Sequence, residues 1–200
     1  MENIINKRSK DFSKAADVAQ TILIYLVALL TPLFLAQLIK SVFGAGSVVT
    51  QNSQLIVGSV VNTALIMAAV NVKGWKNIVA LVTVPSISAL TSGLVLNISS
   101  IFTVYMIPAI WLGNFAIIYA IKYLYIKKNV NYVLSAGAGI LAKVALIFGG
   151  FNLLTLLVTM PAPVVTALTA AMGINQLITA IIGSALAYGT VKLLYKNNEA

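Results

Sequence analysis

Residues 18–42, VAQTILIYLVALLTPLFLAQLIKSV, contain a single charged side chain, Lys40. Crossing the hydrocarbon core of a bilayer takes about 20 predominantly apolar residues, so this stretch is long enough to span one. In lipid its backbone groups must be satisfied within the segment, which makes it a helix. Just ahead of it stand Lys7, Arg8, Lys10 and Lys14. Working outward, further basic clusters recur at Lys73 and Lys76, at Lys122, Lys127 and Lys128, and at Lys192 and Lys196. The gaps between these clusters hold only Lys40. Lys and Arg beside membrane segments stay on the cytoplasmic side, so the alternation predicts six crossings with both termini cytoplasmic.

The spans drawn from this pattern are 18–42, 54–72, 77–97, 102–126, 131–155 and 173–195. The expected fold class is an all-α integral membrane protein, with residues 1–200 forming one six-helix domain. A chain that is 60% hydrophobic and 8% charged, with mean hydropathy +0.99, has too little polar surface to coat a soluble globule. Its formal charge of +9 sits at helix ends, where anionic headgroups attract it, and no basic groove interleaved with aromatics points to nucleic acid. The basic N-terminus would also begin a signal peptide, but the apolar run after it is too long for one and lacks a small-x-small cleavage site. It is expected to be a retained first span.

The connections differ in character. Gly44 to Ser53 is rich in small polar residues and reads as an external loop. Asn97 to Ser100 reads as a tight external turn, whereas Tyr125 to Tyr132 is basic and carries tyrosines suited to the headgroup level. Asn152 to Met172, with Pro161 and Pro163, is apolar throughout and predicts a short helix or re-entrant cap. In the sixth span Ala180, Ser184 and Ala187 share a face with Gly183 alongside. That spacing lets helix backbones approach closely.

The chemistry available is restricted. All four acidic residues, Glu2, Asp11, Asp17 and Glu199, lie near the chain ends, and there is no histidine or cysteine. Proton relays, carboxylate or triad hydrolysis and transition-metal sites all draw on those groups. No GxxxxGK[ST] phosphate loop occurs either. The chain therefore reads as a non-enzyme without cofactor or metal.

One ionisable group remains deep in a span: Lys143. At 100° per residue Tyr132, Ala136, Gly139 and Gly150 share its face, while Leu134, Leu141 and Phe148 fall opposite. Small residues suit a helix contact and large apolar ones suit lipid, so Lys143 is expected to point inward. A charge at that depth costs at least about 2.5 kcal/mol. Either an anionic group on a bound solute supplies the missing counter-charge, or the lysine snorkels, deprotonates or donates to carbonyls. Asn114 with Trp111 in the fourth span, Pro85, Ser88 and Ser92 in the third, Asn175 and Gln176 at the start of the sixth, and Tyr105 as a stacking surface could complete a pocket for a polar organic molecule.

Three stretches carry a family resemblance: Ile107-Pro-Ala-Ile-Trp-Leu-Gly-Asn114, the Ala142-Lys143 pair, and Met172-Gly-Ile-Asn-Gln-Leu-Ile-Thr-Ala-Ile-Ile-Gly183. In these and in its six-span layout the chain resembles the substrate-binding S components of energy-coupling factor (ECF) transporters. The resemblance implies a prokaryotic plasma-membrane protein that binds a vitamin or other micronutrient. It further implies partners, a transmembrane T component and two ATPase subunits, and delivery of the solute by toppling in the membrane. Family members dock through an A-x-x-x-A pattern on the first helix; the matching pair here is Ala15 and Ala19, beside Asp17. Members that carry nickel or cobalt use an N-terminal histidine, so an organic solute is implied.

Two other readings remain open, a non-transporting scaffold in which Lys143 and the asparagines fix helix packing, and a self-contained facilitator. In the binding-subunit reading, solute is expected to enter beneath residues 44–53 and the Pro161/Pro163 cap, and closure of that loop traps it.

Overall fold

The structure, a computed structural model, describes the backbone of residues 14–92 and 101–196 and the side chains of residues 17–90 and 101–193. Every regular element among them is helical. The first crossing is α1 (Lys14–Leu30), a π-helical turn over Thr31–Leu35 and α2 (Ala36–Phe43). Pro32 accounts for the π turn, because proline lacks the N–H needed to continue the ladder and the helix widens around it. Gly44, at φ 81, ends α2 in the left-handed region that side chains disfavour. A single-turn α3 (Val48–Gln51), capped by the Ser47 hydroxyl, leads into α4 (Ser53–Asn71).

Next come α5 (Trp75–Ser92), a short α6 (Ile101–Tyr105), and α7 (Ile107–Ala120) continued by a π-helical Ile121–Lys127. The last part is α8 (Tyr132–Leu157), α9 (Ala162–Met172) and α10 (Ile174–Lys196). Five stretches are long and apolar enough to cross a membrane: Asp17–Phe43, Ser53–Asn71, Ile107–Lys127, Tyr132–Leu157 and Ala162–Leu193. Trp75–Leu90 is apolar but shorter. The chain is thus a multi-pass, all-helical membrane protein. The expected third span ran to residue 97, but its described part ends at Ser92, and the turn at Asn97 to Ser100 lies outside the described residues. The expected short helix after Asn152 is α9.

Helices pair where small residues let them. A Cβ on Gly183 of α10 would lie 2.5 Å from the Asn62 Cβ and 2.9 Å from the Ser59 carbonyl oxygen, so α4 and α10 are in backbone contact there. Ala180, Ser184 and Ala187 are all buried on that side, as their shared face predicted. A second close pair is α7 with α8, where a Cβ on Gly113 would meet Ile147 and the Lys143 carbonyl. Between the pairs lies an apolar core that includes Leu65, Ile66, Ile78, Leu81, Ile117 and Ile118. On α8, Tyr132, Ala136, Gly139 and Lys143 are buried, while Leu134 and Leu141 are 67% and 68% exposed. The helical-wheel reading of that helix holds.

The basic end of the bundle is knitted by polar contacts. Lys122 Nζ donates to the Val72 and Ala69 carbonyls at 2.8 and 3.3 Å, satisfying the open C-terminus of α4. Lys73 pairs with Asp17 at 2.6 Å, and the Tyr25 hydroxyl donates to the Asn77 carbonyl at 2.7 Å. Tyr132 donates to the Ser184 carbonyl at 2.8 Å, tying α8 to α10. Trp75, Phe115, Tyr119 and Tyr123 form a run of neighbouring rings, with Lys127 and Lys128 over the Tyr123 ring. Rings and lysines at this level match an aromatic belt. Ala19 is exposed on α1, and the Ala15 side chain lies outside those described.

Candidate binding cavity

The face of α4 that carries Gln54, Gly58, Val61 and Asn62 looks into a cavity of about 380 Å³. Helices α5, α6, α7 and α10 supply the other walls, α8 contributes Lys143, α9 contributes Met172, and the π-helical turn of the first crossing contributes Pro32. Gln54 to Asn62 is eight residues, about 12 Å along a helix axis at 1.5 Å per residue. The cavity therefore runs from the end of the bundle opposite the basic connections down toward the middle of the helices. Its composition changes along that length. Asn62, Asn114, Lys143 and Thr179 gather at the deep end; Val57, Val61, Pro85, Ile107 and Ile110 form apolar walls; Gln54 and Gln176 stand near the other end.

Lys143 is 2% exposed. Its Nζ donates to Asn62 Oδ1 at 2.5 Å and to Asn114 Oδ1 at 2.8 Å, so three helices meet at one amine. The amides are held in turn. Asn62 Nδ2 donates to the Gly58 carbonyl at 2.9 Å and to Thr179 Oγ1 at 3.2 Å, and Thr179 Oγ1 donates to the Gln176 carbonyl at 3.2 Å. Asn114 Nδ2 faces the Val82 carbonyl at 3.5 Å. This network fixes the amide orientation, presenting oxygen rather than nitrogen to the lysine.

Two neutral acceptors solvate an ammonium without neutralising it. The one carboxylate among the described side chains, Asp17, is engaged with Lys73 at the basic end. An ammonium also has three N–H donors, and the amides use two of them. Ser86 adds a second incomplete group: it is 8% exposed, lines the cavity, and its hydroxyl has no partner among the described residues. Leaving a buried hydroxyl unmet costs about 1–3 kcal/mol. The cavity thus holds a buried amine with no counter-charge, and a hydroxyl with no partner, among the described residues.

Of the residues singled out from sequence, Lys143, Asn114 and Gln176 line this cavity together. Asn175 stands beside it, donating to Gln54 Oε1 at 3.0 Å. Ser88 is turned away to α1, where its hydroxyl donates to the Leu29 carbonyl, while Pro85, Ser86 and Ala89 face the cavity. Trp111 packs against the apolar core with its Nε1 buried and without a partner among the described residues, and Tyr105 is 48% exposed outside the lining. The Ser92 side chain lies outside those described.

Asn62, Thr179, Gln54 and Ser86 were not read from sequence as site residues. A trace was present, since Gln54, Gly58 and Asn62 recur every fourth residue, which places them on one helical face. No residue of 44–52 lines the cavity, so the expected loop gate has no contact with it, although Met172 at the end of α9 does. No protein-family model, curated protein or solved structure matches the chain.

Proposed function

We propose that the chain is the solute-binding subunit of a membrane uptake system, an S component of the ECF type that captures a small organic, vitamin-like solute from outside the cell. The observation that carries this reading is the buried Lys143, held by Asn62 and Asn114 at the deep end of a cavity with no internal acid. Buried charges in a bilayer are expensive and mark ligand or ion pathways, and a pocket with apolar walls and a few converging polar groups is the common form of a small-molecule site. The volume lies at the small end of the about 300–1,000 Å³ typical of ligand pockets. With the basic end cytoplasmic, the cavity lies in the outer half of the membrane. Energy for release would come from T-component and ATPase partners, since the chain itself has no nucleotide loop.

A scaffold role is the competing reading, favoured by the two amide contacts that already hold Lys143. The readings diverge on purification. Native mass spectrometry of the protein extracted in mild detergent should show an adduct of one small organic molecule, ejected on activation. A bare protein mass, recovered after gentle extraction from cells grown in rich medium, would favour the scaffold.

A further inference from the structure

We infer that the cavity takes a compact monocarboxylate with an apolar body, bound with its carboxylate inward on Lys143. This deepens the binding-subunit reading and rests on it. Three features of the cavity define the class. Charge comes first: Lys143 is the only ionisable side chain among the lining residues, and its two partners are neutral amides. One cation balances one negative charge. A phosphate dianion would bring a second charge to the same depth uncompensated, and a cation would meet like charge in a low-dielectric site.

Position along the cavity comes next. Asn62, Asn114 and Lys143 lie about two turns below Gln54 and Ile107, and the wall between the levels is mostly apolar, with Val57, Val61, Pro85 and Ile110 and a single hydroxyl, Ser86, next to Pro85. A solute with several polar groups along its middle would strand most of them against those walls, at a cost of about 1–3 kcal/mol for each unmet group. An apolar middle avoids that cost. Finally, donors are left over: the third Nζ–H of Lys143 and the Ser86 hydroxyl have no acceptor among the described residues, and a carboxylate offers acceptors only. A primary amide of the same shape would carry its own N–H donors toward Lys143 without supplying a charge.

The test uses the full chain in nanodiscs of zwitterionic lipid and three isosteric probes, 3-phenylpropionate, 3-phenylpropanamide and 3-phenylpropylamine, with binding read by equilibrium dialysis. The wild-type protein should bind the acid at least tenfold more tightly than the amide and show no saturable binding of the amine. In K143Q, which keeps a donor but removes the charge, the acid-to-amide ratio should collapse to within threefold of unity. Equal affinity for acid and amide in the wild-type protein overturns the inference without any variant, as does a preference that survives in K143Q or binding of none of the three. Native mass spectrometry separates the two levels of claim. A neutral or cationic co-purified molecule removes the carboxylate assignment and leaves the binding-subunit reading standing, whereas a bare mass removes both.

Discussion

Replacing Gly183 by alanine is expected to lower the thermal unfolding midpoint and to weaken solute binding at least tenfold, although the residue touches no solute. The new Cβ would sit 2.5 Å from the Asn62 Cβ, 2.9 Å from the Ser59 carbonyl oxygen and 3.0 Å from the Thr63 nitrogen. Two of those atoms are backbone, so no rotamer change relieves the clash; α4 and α10 must move apart. Overpacking of this kind costs about 1–3 kcal/mol. Asn62 is on the surface being pushed, and its Oδ1 lies 2.5 Å from Lys143 Nζ, so the same displacement loosens the polar end of the cavity. Gly189→Ala on the same helix is the control, because its Cβ would meet nothing within 4 Å. A Gly183→Ala protein that melts and binds like Gly189→Ala would show that the helix contact does not position the site.

The second large effect is expected from Lys143→Met. Solute affinity should fall about 100-fold, equivalent to about 2.8 kcal/mol, while the stability of the solute-free protein stays within about 1 kcal/mol of the parent. Two opposing terms set the latter. Methionine removes an uncompensated charge whose depth costs at least about 2.5 kcal/mol. It also leaves the Asn62 and Asn114 carbonyl oxygens without a donor, at about 1–3 kcal/mol each, and the amides retain their Nδ2 contacts. The terms nearly cancel. The same terms apply to a lysine that only packs, so denaturation shows that the variant is folded, and dialysis decides between the two roles: a packing lysine leaves solute binding unchanged.

Much of this arrangement could be read from the sequence, and the misses have specific causes. Lipid-facing and inward faces of α8 followed from the 100° rotation per residue, because Leu134 and Leu141 oppose Ala136, Gly139 and Lys143 on a straight helix. The tight surface of α10 followed from Ala180, Gly183, Ser184 and Ala187 in the same way. Ser88 was misplaced because spacing identifies a stripe but not its partner: Pro85 and Ala89 face the cavity, and Ser88 lies about 60° from Pro85 and about 100° from Ala89, toward α1. Tyr105 was misplaced because the helix breaks at Met106, so the register of α7 does not extend back through α6. Asn62 went unread since its neighbours Ser59 and Thr63 make α4 small and polar around much of its circumference, and no strong face stood out.

The claim on which the rest depends is that a bound solute touches the Lys143 amine. It is tested most directly by NMR of protein labelled with ¹⁵N at lysine Nζ, in which Lys143→Met identifies the resonance and the solute recovered from the wild-type protein is titrated in. A saturable shift of the Lys143 Nζ signal, with the other lysine signals unmoved, is the predicted result. Solute binding that saturates while that signal stays in place would contradict it.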